Sequence, residues 1–139
     1  MHLLDSDTLT HYFSGNRKVR DGIRAIGNSQ VATTIITRVE MLRGRLDYLL
    51  KAETGAEVLR AQQLLFQAET DMRRLLIVPF NDAAVVILEQ LRATKGLRKI
   101  GRADLLIASI ALANRAILVT RNLRDFRRIP NLQVVNWVD

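Results

Sequence analysis

The chain has 139 residues, enough to bury one hydrophobic core and short for two domains. Its 21 Lys and Arg against 14 Asp and Glu leave a net charge of +7, which favours a polyanionic partner, nucleic acid first, through counterion release. The absence of cysteine excludes disulfides and thiolate metal sites. With no signal peptide at Met1–Asp5 and no stretch of transmembrane length, a cytoplasmic protein with no membrane partner is expected.

His2 to Asp5 reads as a short first strand that delivers Asp5 to its C-terminal end. Asp5-Ser6-Asp7-Thr8 then opens a short helix through Leu9 and Tyr12-Phe13, with Asp5 or Asp7 as the cap. Gly15-Asn16 breaks that helix. Arg17 to Ile26 carries Val19, Ile23 and Ile26 at helical spacing, and Gly27-Asn28 ends it. Val31 to Thr34 is a second strand. Thr37 and Glu40 have capping-box spacing and open a helix whose apolar face is Val39, Leu42, Leu46 and Leu49. A long helix over about 55–74 follows, with Val58, Ala61, Leu65, Ala68 and Met72 on one stripe. Leu59 and Phe66 lie off it, surplus to an internal core and available to a partner.

Leu75 to Val78 is a third strand stopped by Pro79, and Asn81 or Asp82 caps a helix through Val86, Leu88 and Leu91 to about Thr94. Lys95-Gly96 closes it. From Asp104 a helix runs that is apolar almost all round between Leu105 and Ala113, as a helix buried on more than one side must be. Ala116 to Thr120 is a buried fourth strand, followed at once by Asn122 and Asp125, and Leu132 to Trp137 reads as a last strand. Apolar strands alternating with helices specify a single three-layer α/β/α domain over residues 1–139, with a central parallel sheet of about five strands.

The acids at strand ends or helix starts are Asp5, Asp7, Glu40, Asp104 and Asp125. Singly, each is explained as a helix cap or a dipole partner. Together they belong to one edge, because in a parallel sheet the helix starts that follow strands share the edge where such folds bind ligands. Gathered carboxylates raise one another's pKa unless a cation lies between them, and an all-oxygen set selects Mg²⁺ or Mn²⁺ over zinc. Beside a basic surface, that chemistry suits phosphodiester hydrolysis. His2, His11 and the serines Ser6, Ser14, Ser29 and Ser109 lack the partner spacing of a ligand pair or a nucleophilic triad.

Leu3-Leu4-Asp5-Ser6-Asp7, Thr37-Arg-Val-Glu40-Met-Leu-Arg-Gly44, Gly101-Arg-Ala-Asp104-Leu-Leu-Ile-Ala108 and Thr120-Arg-Asn122-Leu-Arg-Asp125-Phe126 stand in this order, with Ile129-Pro-Asn-Leu132 and Asn136-Trp137 after them. Over nearly the whole chain these motifs resemble the PIN-domain ribonucleases of the VapC toxin type. The resemblance implies a PIN fold, endoribonuclease activity on RNA, a divalent metal (Mg²⁺ or Mn²⁺) at the acidic cluster, and a VapB-type antitoxin. It also implies a homodimer or a toxin–antitoxin hetero-oligomer. By position it assigns Asp5, Glu40 and Asp104 as metal ligands. Asn122 and Asp125 share a variable fourth position, Asn122 being expected nearer the metal because it follows the strand directly. Thr120 matches a hydroxyl that orients water or substrate, and Asp7 departs from the asparagine usual in relatives.

Competing readings are a non-toxin PIN nuclease, a non-catalytic nucleic-acid-binding α/β domain, and a phosphorelay receiver. The receiver would need an Asp after strand three, where Val78-Pro79-Phe80 stands, and a Lys where Thr120-Arg121-Asn122 stands. Arg38, Arg43, Arg45, Arg98, Lys99, Arg102, Arg121 and Arg124 flank the acidic motifs, either as phosphate contacts or as solvated helix faces.

Overall fold

The computed structural model describes residues 1–139. Strands β1 (His2–Leu4), β2 (Val31–Thr34), β3 (Leu76–Val78), β4 (Ile117–Val119) and β5 (Val134–Val135) form one sheet in the order β3-β2-β1-β4-β5, every pairing parallel. Seven helices cross between them: α1 (Ser6–Phe13), α2 (Arg17–Ile26), α3 (Ile35–Lys51), α4 (Gly55–Arg73), α5 (Asp82–Ala93), α6 (Arg102–Ala113) and α7 (Leu123–Phe126). The expected α/β class and five-stranded parallel sheet are thus observed. The last strand is shorter than the apolar run predicts. Asn136 Oδ1 accepts from the Val138 and Asp139 N–H groups, at 2.9 and 3.2 Å, and curls the chain away from β4.

Successive strand residues face opposite sides of a sheet, and that alternation divides the core. Leu3 and Leu118 point to one side and pack with Leu91, Ile107, Ile110 and Phe126 from α5, α6 and α7. Leu4 and Val119 point to the other, with Leu9, Val19, Ile23 and Met72 from α1, α2 and the end of α4. Between Ile107 and Ala111 the helix α6 is wholly buried. Ser109 is accommodated there because its hydroxyl donates to the Leu105 carbonyl at 2.7 Å.

Two expectations are corrected. The capping residue of α3 is Thr34, the last residue of β2, whose Oγ1 accepts from the Thr37 N–H at 3.1 Å. Thr37 is buried inside the first turn with its hydroxyl 3.0 Å from that of Thr34, so it forms no capping box and Glu40 is left free of the helix start. The second correction concerns α3 and α4, which form a hairpin with small residues, Ala61 and Ala68, buried along α4. The face expected to be internal is partly open: Val39, Leu46 and Val58 are 55%, 45% and 41% exposed, as are Leu59 and Phe66 at 56% and 58%. Between the two helices lies a cavity of about 650 Å³ lined by Val39, Leu42, Leu46, Leu65 and Met72, with arginines at its margins.

Candidate active site

Because all strands run the same way, the ends of β1, β2 and β4 and the starts of α1, α3 and α7 share one edge. The strand order reverses between β1 and β4, and a crevice opens where neighbouring crossovers leave in opposite directions. Cross-strand hydrogen bonds fix this edge. The Asp5 N–H donates to the Val119 carbonyl at 3.1 Å, Thr8 Oγ1 to the same carbonyl at 3.2 Å, and Thr33 Oγ1 to the Leu4 carbonyl at 2.6 Å.

Asp5 leaves β1 and caps α1, its Oδ1 accepting from the Thr8 N–H at 2.9 Å, which leaves its other oxygen for the crevice. Glu40 lies on the second turn of α3, and Asp104 in the first turn of α6, where Gly101 supplies no side-chain cap. Asp125 occupies the first turn of α7. Two of these carboxylates feel the charge of the others. Glu40 is raised above the ordinary carboxylate pKa by partial loss of hydration of its carboxyl, and then by the charges of Asp104 and Asp5. Asp104 is raised by loss of hydration, and then by Asp125 and Asp5. Four acids from four segments of the chain therefore share one electrostatic site.

Asp7 is exposed and belongs to a separate rim. Its carboxylate meets Arg121 at 3.5 Å, and Arg121 also holds Asp139 at 3.2 Å. Thr120 is fully buried, and its Oγ1 accepts from the Asn122 N–H at 3.0 Å. With no exposed surface, the Thr120 side chain closes the turn after β4. Asn122 is exposed and directs its amide to Asp125, Nδ2 to Oδ2 at 3.2 Å. The direct charge on Asp104 comes from Asp125, and Asn122 acts on the cluster through Asp125. This arrangement, invisible in the sequence spacing, follows from the single turn of α7 that folds residue 125 back over the strand end.

The donor set is all oxygen, and its mutual repulsion gives a hard dication a favourable seat. No three of these acids stand around one point at ligand distance.

The molecule is thus a parallel α/β layer structure that carries a carboxylate cluster at its switch point. Residues 3–132 match the PIN domain model, and the chain belongs to the PIN-domain family. It is 46% identical over 69 residues to the ribonuclease VapC2 of Rickettsia felis, a match spanning 48% of this chain and 51% of that protein. It is 25% identical over 114 residues to the tRNA(fMet)-specific endonuclease VapC of Salmonella typhimurium, covering 81% of this chain and 79% of that one. Among solved structures, VapBC2 from Rickettsia felis bound to a DNA fragment from their promoter superposes with a TM-score of 0.77. That match has 26% identity and covers 98% of each chain.

Proposed function

We propose that residues 1–139 act as one unit, a metal-dependent endoribonuclease toxin of the cytoplasm that a cognate antitoxin silences. The observation that carries this reading is the convergence of four carboxylates: Glu40 is raised by loss of hydration and then by Asp104 and Asp5, and Asp104 by loss of hydration and then by Asp125 and Asp5. The ribonuclease and endonuclease names of its relatives, and their complexes with antitoxins, support the same reading.

In this reading Asp5, Glu40, Asp104 and Asp125 hold Mg²⁺ or Mn²⁺, with Asn122 orienting Asp125 and Thr120 fixing the turn that carries Asn122. The bound ion would lower the pKa of a water and neutralise the non-bridging phosphate oxygens. Loss of hydration and neighbouring negative charge make Glu40 and Asp104 harder to ionise, and a bound cation would relieve that cost. Because water and not the 2′-hydroxyl attacks, the products carry a 5′-phosphate and a 3′-hydroxyl. Purified protein is expected to cut RNA only with Mg²⁺ or Mn²⁺, with those ends. Cleavage that persists in EDTA and leaves a cyclic phosphate would overturn the reading.

The antitoxin is assigned to the α3–α4 hairpin. An amphipathic segment laid in its groove would bury Val39 and Leu46, and a continuation over α4 would cover Leu59 and Phe66.

A further inference from the structure

We propose that the loop between α5 and α6 and the single turn of α7 together form a rigid cationic platform that binds the phosphate backbone of RNA beside the carboxylate cluster. The proposal rests on the nuclease reading and adds the path of the substrate. In the loop, Lys95, Arg98 and Lys99 are exposed while Leu97 and Ile100 are each 4% exposed. On and after α7, Arg124, Arg127 and Arg128 are exposed while Phe126 and Ile129 are each 2% exposed. All four anchors belong to the same core, so each segment is pinned from beneath and presents only its cations.

The Arg128 guanidinium donates to the Gly96 carbonyl and joins the two segments into one surface. None of the six cations forms an ion pair with an acid. The loop runs directly into the first turn of α6 with Asp104, and α7 itself carries Asp125. The platform therefore adjoins the cluster through the backbone of two of its members. Arg121, by contrast, is already paired with Asp7 and Asp139.

The platform exposes no aromatic ring on which a base could stack, so recognition there is by phosphate and insensitive to base identity.

The test is the affinity of the full chain in EDTA, where no cleavage occurs in this reading, for fluorescently labelled oligouridine and oligoadenosine across a range of salt. Arg98→Gln/Lys99→Gln and Arg124→Gln/Arg127→Gln should weaken both RNAs alike and flatten the salt dependence of log K by about 0.7 for each phosphate no longer neutralised. Arg20→Gln/Arg24→Gln on α2 should leave both unchanged, and with Mn²⁺ restored the platform variants should raise KM more than they lower kcat. Unchanged RNA affinity and KM in the platform variants would overturn the platform while leaving the nuclease reading intact. So would a loss confined to antitoxin binding. RNA binding that depends on the platform, with no cleavage on adding Mn²⁺, would sink the nuclease reading and leave the platform standing.

Discussion

Asp104 occupies the third position of α6, where the positive end of the helix dipole favours an ionised carboxylate. Its pKa is nevertheless raised, so desolvation and the charges of Asp125 and Asp5 outweigh the dipole. A carboxyl with a raised folded pKa is harder to ionise folded than unfolded. Its ionisation costs stability in full above the raised value, and the cost disappears as pH falls below the ordinary value of 3.8. Asp104→Asn should therefore abolish cleavage and, without divalent ions at neutral pH, leave the melting temperature equal to or above that of wild type. Mn²⁺ should raise the melting temperature of wild type more than that of the variant. A melting temperature that falls together with activity would instead mark Asp104 as a helix-start residue only. Asn122 and Asp125 make a second test. Asn122→Ala removes the amide that orients Asp125 and should lower kcat by about 10- to 100-fold, the usual cost of losing a group that positions a ligand. Asp125→Asn should lose metal affinity outright, and isothermal titration with Mn²⁺ showing the larger loss at Asn122 would reverse the two roles.

At the scale of elements, the start of α3 and its open face both escape the sequence pattern, and for one reason. A 3.6-residue period identifies an apolar stripe and cannot say whether the sheet, a neighbouring helix or nothing covers it. Thr34 closes β2 and caps α3 at once, so the helix begins earlier than the spacing of Thr37 and Glu40 implies. Val39 and Leu46 then fall on the open side of the hairpin with α4, with Met72 in the floor of the groove. Substituting Val39→Ser and Leu46→Ser should weaken the antitoxin complex by about 10-fold or more, since apolar anchors in a groove dominate such interfaces. Each change should alter stability by no more than about 0.5 kcal/mol, because the sites are already exposed. Titration of the antitoxin, with thermal melts of the free toxin alongside, checks both outcomes.

The whole molecule is closed by its last residues. Trp137 stacks on His2 with ring centroids 5.4 Å apart, and it lies so close to α2 that a Cβ on Gly22 would stand 2.7 Å from the indole. His2 Nδ1 is buried there without a hydrogen-bond partner, and loss of hydration and the chain's amino terminus lower its pKa. Gly22→Ala should destabilise the fold by about 1–3 kcal/mol through this clash. The loss should appear in denaturant unfolding followed by Trp137, the only tryptophan. An unchanged midpoint would mean that the C-terminal segment yields without cost.

The layer architecture is legible in the amino-acid sequence, because apolar strands between helices admit few arrangements other than a covered parallel sheet. The common edge of Asp5, Glu40 and Asp125 is legible there too, since parallel strands send their following helix starts to the same side, whereas Asp104 starts a helix that follows α5 and joins them only through the tertiary fold. Only the tertiary fold shows that the charge of Asp125 acts on Asp104 while the Asn122 amide donates to Asp125, because that depends on one turn of helix too short to have a period. It alone withdrew Thr120 from the crevice, through a hydrogen bond two residues along the chain. It alone brought the loop before α6 beside α7, since the buried anchors that join these two basic segments are separated in sequence by the whole of α6 and β4.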